Sequence, residues 1–416
     1  MSWTIVVQKI SEQNPMTKYK VTAFQKGEAG ALSSELEINR DELLNDYYNL
    51  LPYISGIRFR SQALQELNPL RLLESIKNML SISLGNDLKN VFDTAESLNI
   101  ITDDVDIPWE ISGCDEAFKL KCSFGISRLS KRRFISPPKL LDTNSINILF
   151  IVDTKSNLPQ TKIETQKIIA MFDRINNRNH KNKNKKVGYV ILEGKEASYN
   201  NVRKCLIQNY FDIIHACTHT EYDGIVLNDG LLRPQDIFDD IKIEAPWFVF
   251  MNSCESAKTK DLNIFETSGQ LSDLNIAFLA AGANSYIGTN CIINDAAASE
   301  IAVNFYNDLI RGYTLGESLR NAKNKFYDNN MEDLSWLAFR LYGDPTSKKD
   351  FGDTSSIDDE KDEISYRDIH NDKIQEDSLK NKIVEYIQKN KNFSISKCSR
   401  DLNIDVDEIM NILSKL

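Results

Sequence analysis

Hydrophobic positions between residues 146 and 327 follow two alternating patterns. Helical spacing and short apolar runs take turns along this part of the chain: the runs lie at 146–152, 187–192, 211–217, 247–251 and 276–281, and the helical stretches lie at 161–175, 197–209, 295–311 and 315–327. Short apolar runs bounded by turn residues are typical of strands buried on both faces, as in a parallel sheet. Strands that alternate with helices at this spacing predict βαβ crossovers and an α/β fold.

The first part of the chain has a different pattern. Residues 3–10 and 18–25 predict two strands joined by a polar turn, which would form a hairpin at a sheet edge. Apolar residues at helical spacing follow at 35–54 and 67–80. Further along, the basic, Asn-rich tract 176–186 predicts an exposed loop between a helix and a strand.

The end of the chain departs from both patterns. Residues 347–377 are strongly acidic and poor in apolar groups, which predicts a linker. Residues 378–416 predict three short helices that resemble a helix-turn-helix. However, the final helix begins with Asp405, Asp407 and Glu408, where a recognition helix would meet phosphates. A small protein-docking module is therefore favoured over a DNA-binding regulator.

Composition limits the classes of function. The chain has 416 residues and a net charge of −10, which disfavours a nucleic-acid role for the whole chain. Seven scattered cysteines without a CxxC pair suit free thiols in a reducing compartment. No apolar run approaches the length of a membrane span, and the chain does not open with a secretory signal. These features predict a cytoplasmic protein without a membrane span.

Two side chains suited to nucleophilic chemistry follow two of the apolar runs. His219 comes just after 211–217, and Cys254 comes just after 247–251. Ligands of open α/β sheets bind at the carboxyl ends of the strands. An imidazole and a thiol at that edge are what a Cys–His site needs, because the imidazole takes the thiol proton and the thiolate attacks a carbonyl. On spacing alone, an inert core cysteine and a structural histidine are the alternative.

A metal site is the other chemistry that these residues suggest. His215, Cys217 and His219 alternate along one run and resemble a set of zinc ligands. Alternation keeps three side chains on one face only while the strand continues, and no HExxH-type pattern follows. The chain contains four histidines. We therefore predict no metal site here.

Five motifs, in order along the chain, resemble those of the CHAT domain, a bacterial caspase-like cysteine peptidase family of clan CD that is related to separase. The family patterns are LPWE, HxxxHG, LNACESA, AGAxxVI and a closing LYGDP. The corresponding segments here are IPWE at 107–110, HACTH at 215–219, MNSCESA at 251–257, AGANSYIG at 281–288 and LYGDP at 341–345. Where the family has glycine on both sides of its catalytic histidine, this chain has Thr218 and Thr220.

The resemblance implies a fold and a set of catalytic roles. It implies a caspase-like α/β fold with a Cys–His dyad, in which His219 is the base and Cys254 the nucleophile. The backbone N–H groups of Thr220 and Cys254 would form the oxyanion hole. His215 would be a structural residue of the strand. No cofactor is implied.

Substrate-binding candidates also follow from the resemblance. In the related separases, an acidic residue after the strand that follows the catalytic cysteine receives a substrate arginine. The corresponding residue here is Asp295, whose carboxylate would pair with arginine better than with lysine. The alternative role for Asp295 is the N-cap of the helix predicted to begin near residue 296. Asp223 and Glu255 are further candidates for an acidic wall beside the dyad.

These inferences combine into one prediction of architecture and function. The fold class is α/β, with a caspase-like, mostly parallel sheet flanked by helices, an N-terminal α/β part and a small C-terminal helical module. The predicted bounds are 1–140 for the N-terminal strands and helices, 141–346 for the catalytic domain, 347–377 for the linker and 378–416 for the module. Within the first of these parts, the CHAT region is expected to begin near residue 40.

The predicted function is that of a regulated cysteine endopeptidase that cleaves a protein substrate. The resemblance places it in bacterial antiviral defence, where the targets in some systems are gasdermin-like pore formers. An activating partner is expected to dock on residues 378–416, and DNA binding is not expected. The alternative from another class is a catalytically inactive caspase-like scaffold that acts in protein–protein interaction.

Overall fold

The structure is a computed structural model of the whole chain. It describes residues 1–55, 68–82, 85–128, 145–156, 158–182, 186–221, 224–241, 245–253, 273–331 and 333–352. The chain divides into two compact units, Met1–Thr354 and Ser355–Leu416, and all described residues belong to the first. The predicted module 378–416 and the linker from residue 353 onward therefore lie outside the described residues.

The described residues form one large mixed sheet and one small sheet. In chain order the strands are β1 Ser2–Gln13, β2 Met16–Gln25, β3 Ala31–Asn39, β4 Ser97–Thr102, β5 Ser123–Arg128, β6 Ser145–Val152, β7 Lys186–Glu193, β8 Ile213–Cys217, β9 Thr220–Glu221, β10 Gly224–Val226, β11 Leu231–Leu232, β12 Phe248–Met251, β13 Ser285–Thr289 and β14 Phe339–Gly343. Eleven of them pair in the order β3-β2-β1-β4-β5-β14-β13-β12-β8-β6-β7, and β9 to β11 form the small sheet.

Most neighbouring pairs of the large sheet are parallel. Of its ten strand pairings, only β1–β2, β2–β3 and β13–β14 are antiparallel. The sheet is continuous from the N-terminal strands to the strands after residue 145, because β5 pairs with both β4 and β14. This arrangement confirms the predicted α/β fold with a mostly parallel sheet.

Nine α-helices accompany the sheet within the described part of the chain. They are α1 Arg40–Ile54, α2 Pro69–Ile82, α3 Gly85–Thr94, α4 Pro159–Asn182, α5 Tyr199–Gln208, α6 Pro234–Asp240, α7 Leu274–Ala280, α8 Asp295–Ile310 and α9 Leu315–Asn329. Short 3-10 helices lie at Trp109–Gly113, Gly194–Glu196 and Ser335–Ala338. Membrane-crossing length and apolarity do not coincide in any helix of this part of the chain.

The central strands bury both of their faces, because successive residues point to opposite sides of a sheet. On one side, Leu149, Ile214 and Val249 belong to an apolar core that also contains buried residues of α5, α6 and α7. On the other side, His215 lies among aromatic rings. The nearest ring centroids are those of Phe150, Phe250 and Tyr306, each 5.4 Å from the His215 ring.

One predicted strand is wrong. Residues 276–281 were expected to form the fifth strand, but Leu274–Ala280 is helix α7, and the strand is Ser285–Thr289. The buried residues Leu274, Ala277 and Phe278 have the spacing of one helix face, and the Phe278 ring packs 5.9 Å from that of Tyr286 on the strand. A short apolar run does not distinguish these two structures, because both bury it.

Two further boundaries differ from expectation. The predicted helix 35–54 is a strand followed by a helix, because Leu36 and Ile38 alternate as buried residues in β3 before Asn39 caps α1. Strand β3 rather than the β1–β2 hairpin then forms the sheet edge. The predicted loop 176–186 begins too early, because α4 continues to Asn182; residues 183–185 lie outside the described residues.

Candidate active site

The two strands that precede the predicted dyad are neighbours. Strands β8 and β12 pair in parallel, and the register runs from Phe248 opposite Ile213 to Met251 opposite Ala216. His219 and Cys254 each follow that last pair by three residues in the sequence. His219 is described and partly exposed, whereas Cys254 lies outside the described residues, as do Asp223 and Glu255.

The segment that leads to Cys254 is fixed to both neighbouring strands. The backbone N–H of Asn252 donates to the carbonyl of Ala216 on β8, at 2.7 Å. The hydroxyl of Thr289, at the end of β13, donates to the carbonyl of Ser253, at 2.6 Å. The direction in which the chain leaves β12 is therefore set on each side before Cys254 is reached.

The segment that carries His219 is held by a second group of hydrogen bonds. The N–H of Val226 donates to the His219 carbonyl at 3.0 Å. The Thr218 and Thr154 hydroxyls lie 2.7 Å apart, and both contact the Val226 carbonyl, at 3.3 and 2.7 Å. Thr218 is buried, so its hydroxyl links the ends of β6 and β8 to β10.

The threonines that replace the family's glycines are accommodated without unusual backbone angles. Neither Thr218 nor Thr220 has a positive φ, the conformation for which glycine is otherwise needed. Thr220 instead begins β9, where it pairs with Ile225 of β10. The role of the Thr220 N–H in an oxyanion hole stays a prediction.

Asp295 does not cap the following helix. The N-cap of α8 is Asn294, whose side chain accepts hydrogen bonds from the N–H groups of Ala296 and Ala297 at 2.9 and 3.4 Å. The helix-cap interpretation of Asp295 is therefore wrong, because Asn294 is the N-cap. Asp295 is the first residue of α8 and is exposed. Its substrate role stays a prediction.

A cluster of ionisable groups is buried beneath the strand ends. We call Glu164, His215, Cys217 and Tyr306 the site cluster; each is at most 1% exposed. The His215 Nε2 atom lies 2.9 Å from Glu164 Oε1, and its Nδ1 atom lies 3.1 Å from the Tyr306 hydroxyl. The Cys217 Sγ atom is 3.5 Å from the Thr165 hydroxyl. The expected structural role of His215 agrees with this full burial.

Burial controls the ionisation of the cluster. It raises the pKa of the Cys217 thiol well above its usual range, and the negative charge of Glu164 adds to that rise. The pKa of the Tyr306 hydroxyl is raised well above its usual range for the same two reasons. A thiol must ionise to act as a nucleophile. Cys217 is therefore an inert core thiol.

Glu164 was missed in the sequence. The periodicity of α4 drew attention to its aliphatic and aromatic positions. However, Glu164 lies four residues before Ile168 and eight before Phe172, on the face of the helix that both of these bury. A carboxylate on that face was the available signal, because such a group is almost never fully buried without a partner.

The donor atoms of Glu164, His215 and Cys217 all lie within 4.8 Å of one another, and they are the group among the described residues that could hold a metal ion. Two ligands bound tetrahedrally at about 2.0 Å would be about 3.3 Å apart. The Nε2 and Oε1 atoms are closer than that, at 2.9 Å, and the Asn252 amide already donates to Oε2 at 2.8 Å. This arrangement suits direct contact between the side chains better than a central ion.

The fold and the two strand ends define a protein with the caspase-like peptidase fold. The CHAT domain model matches residues 125–345, which is more than half of the chain. The chain therefore belongs to the CHAT domain family. The match begins after the IPWE motif at 107–110, within strand β5.

A solved structure shows the same fold. The chain is similar to Saccharomyces cerevisiae separase in its complex with securin, with a TM-score of 0.54 and 11% identity over 82% of this chain and 30% of separase. A second separase–securin structure gives a TM-score of 0.48, 10% identity and the same shares. A structure described as a protease gives a TM-score of 0.44 and 13% sequence identity, and the match covers 66% of this chain and 69% of that one. No curated protein matches the chain.

Proposed function

We propose that the protein is a cysteine endopeptidase that uses His219 and Cys254. The observation that carries this proposal is the β8–β12 register, in which both residues follow the pair Ala216–Met251 by the same number of residues. Neighbouring parallel strands end at the same sheet edge, and His219 and Cys254 follow those two strand ends in the sequence. That edge is where α/β enzymes bind their ligands.

The mechanism divides amide hydrolysis into two steps. The His219 imidazole takes the proton of the Cys254 thiol, and the thiolate attacks the scissile carbonyl carbon. The N–H groups of Thr220 and Cys254 donate to the resulting oxyanion, and each such donor contributes about 3 kcal/mol. Collapse of this intermediate breaks the C–N bond, and His219 gives its proton to the leaving amine. Water, deprotonated by His219, then attacks the thioester and releases the acid and the thiol.

The substrate in this proposal is a protein. Asp295, exposed at the start of α8, is the candidate partner of a basic substrate residue, with Asp223 and Glu255 as further acidic candidates. The family resemblance supports a role in bacterial defence with a gasdermin-like pore former as the target. The separase neighbour was solved with securin; this supports regulation by a protein partner, for which residues 378–416 are the proposed docking module.

The proposed division of labour follows the predicted bounds. In this proposal residues 141–346 carry the chemistry, and strands β1 to β5 of the N-terminal part extend the same sheet. Residues 347–377 are the proposed linker to the docking module. The alternative function is a catalytically inactive scaffold with the same fold. It differs from the main proposal in one property, the reactivity of Cys254.

A thiol-directed activity probe tests the dyad. We expect the probe to label the wild-type protein, and labelling to be lost in Cys254→Ala and to fall sharply in His219→Ala. Cys217→Ala is the matched control, because that thiol is buried and protonated, and it should label like the wild type. Equal labelling of the wild type and Cys254→Ala would show that the nucleophile is assigned wrongly and would favour the scaffold.

Profiling with a peptide library tests the role of Asp295. We expect a preference for Arg before the cut that is lost in Asp295→Asn, because a carboxylate pairs bidentately with a guanidinium. The control is Asp333→Asn, a change of the same kind at a loop residue outside helix α8. A basic preference that survives in Asp295→Asn would remove this residue from the pocket.

A further inference from the structure

A continuous series of buried contacts runs from helix α8 to Asn252 and Ser253, the two residues before Cys254. We call these two residues the nucleophile segment. It begins at the Tyr306 hydroxyl, passes through the His215 ring at 3.1 Å, and reaches Glu164 Oε1 at 2.9 Å. The other carboxylate oxygen, Oε2, accepts a hydrogen bond from the Asn252 amide at 2.8 Å. Asn252 stands two residues before Cys254 in the sequence.

The central carboxylate is costly where it lies. Glu164 is 1% exposed, and burial of a carboxylate is unfavourable unless partners compensate its charge. Its Oε1 atom lies 2.9 Å from His215 Nε2, but neither atom makes a hydrogen bond. The Asn252 amide is therefore the described group that donates a hydrogen bond to this carboxylate. An apolar side chain would fill the position more cheaply.

The Asn252 amide is also the side-chain anchor of the nucleophile segment. The other two anchors hold backbone atoms of this segment: the Asn252 N–H donates to the Ala216 carbonyl, and the Ser253 carbonyl accepts from the Thr289 hydroxyl. Those contacts hold the path of the chain. The amide contact in addition fixes the orientation of Asn252 about that path, because it ties the side chain to a helix on one face of the sheet.

We propose that Glu164 is a positioning residue for Cys254, which it holds through Asn252, and that His215 and Tyr306 orient Glu164. This inference rests on the proposed function, because it assigns Glu164 to the same nucleophile. A shift of a reacting group by about 1 Å costs on the order of 100-fold in rate. Weakening the Glu164–Asn252 contact should therefore change the reactivity of Cys254 more than the stability of the fold.

A reversed hydrogen bond is the test. Asn252→Asp places a second carboxylate against Glu164 Oε2 and removes the donor. Combining it with Glu164→Gln restores one donor and one acceptor in exchanged positions, because the Gln amide donates to Asp while its oxygen faces His215. The probe is iodoacetamide, with alkylation of the Cys254 peptide followed by mass spectrometry from pH 5 to 9 in the full chain.

We expect Asn252→Asp to slow alkylation of Cys254 by about 10- to 100-fold at neutral pH and the double variant to regain most of that loss. If Asn252→Asp does not fold, Asn252→Ala replaces it as the test. This variant adds no charge and should also slow the alkylation of Cys254. The control is Asn176→Asp, which also loses one amide hydrogen bond, to the Val187 carbonyl at 2.8 Å, but on a remote part of α4. It should lower the unfolding temperature without slowing Cys254.

Two results would overturn the proposal. One is a Cys254 rate in Asn252→Asp within twofold of wild type at temperatures where it is folded. The other is a double variant no faster than the single one, since the loss would then not arise from the contact with Glu164. Failure of the proposed function looks different: wild-type Cys254 would react no faster than an unfolded thiol, with no change in His219→Ala, and that result would overturn both.

Discussion

Two clusters of buried ionisable groups in the described part of the chain are built differently. The site cluster joins Glu164, His215, Cys217 and Tyr306. The second group, which we call the bridging cluster, joins Tyr47, Glu110, Lys323 and Arg340. In the bridging cluster, Arg340 Nε donates to Glu110 Oε1 at 2.9 Å, and Lys323 Nζ donates to the Phe339 carbonyl at 2.5 Å. Both clusters have a buried glutamate, with Glu164 1% and Glu110 4% exposed.

The group that contacts the glutamate differs between the two clusters. The bridging cluster uses a guanidinium, which stays charged under all ordinary conditions, and it joins residues that are 230 positions apart in the chain. Arg340 on β14 also reaches the Val105 carbonyl and the Tyr47 hydroxyl, at 3.0 and 3.4 Å. In the site cluster, Glu164 contacts the His215 imidazole and also accepts from the Asn252 amide, both within residues 141–346. The first arrangement suits joining two regions, and the second suits holding one segment.

Removing Arg340 should have the largest effect on stability. Arg340→Met should lower the free energy of unfolding by about 3–5 kcal/mol, because the buried Glu110 carboxylate loses the cation that hydrogen-bonds to it. Urea unfolding measures the change. The control is Lys121→Met, whose pair with Asp93 is exposed and should contribute about 1 kcal/mol or less. A loss of stability as small as that in Lys121→Met would show that Arg340 does not hold residues 1–140 and 141–346 together.

Much of the fold was predictable because local patterns report burial. Strands β6, β7, β8 and β12 were identified from short apolar runs, and the helix starting at Asp295 from its periodic face. The strand order was not predictable in this way. Strand β14 lies between β5 and β13 although it is the last of the described strands along the chain, and periodicity carries no information on which strands pair.

In the candidate site, too, local patterns identified some residues, whereas others are brought together only by packing. His219 and Cys254 could be found because each follows an apolar run, and the family motifs support both. Glu164 could not be linked to Asn252, 88 positions away, because only the packing of α4 on β8 and β12 brings them together. In the same way, Glu110 stood out as part of a motif, but its partner Arg340 did not.

Lys323 should make the stability of the bridging cluster depend on pH. Burial lowers its pKa from 10.5 to about 8, and the Glu110 carboxylate only partly opposes that. Between these two values the unfolded chain binds more protons than the folded one, so this group makes stability rise with pH. At about 1.4 kcal/mol per pKa unit, the full rise amounts to about 3 kcal/mol.

Lys323→Met should abolish that rise. We expect the free energy of unfolding of the wild type, relative to the variant, to increase from pH 8 toward pH 10.5. Below pH 8 the variant should equal or exceed the wild type, because it no longer buries an ammonium group. Lys121→Met, measured in parallel, controls for the loss of one positive charge. A wild-type advantage that is constant from pH 7 to 10 would mean that Lys323 is charged in the folded protein throughout this range.

The smallest expected effect concerns Cys217, and it distinguishes the parts of the site cluster. Its thiol contacts Thr165 and the Thr161 carbonyl, at 3.5 and 3.8 Å, and neither contact leads to Asn252. Cys217→Ala should therefore cost only about 1 kcal/mol of stability, as a small buried deletion does, and should leave the alkylation rate of Cys254 unchanged. In the wild type, Cys217 itself should resist alkylation at pH 8.5, because burial raises the pKa of its thiol. If Cys217→Ala instead slowed Cys254 as strongly as Asn252→Asp, the site cluster would act on the nucleophile as one packed unit rather than through Glu164.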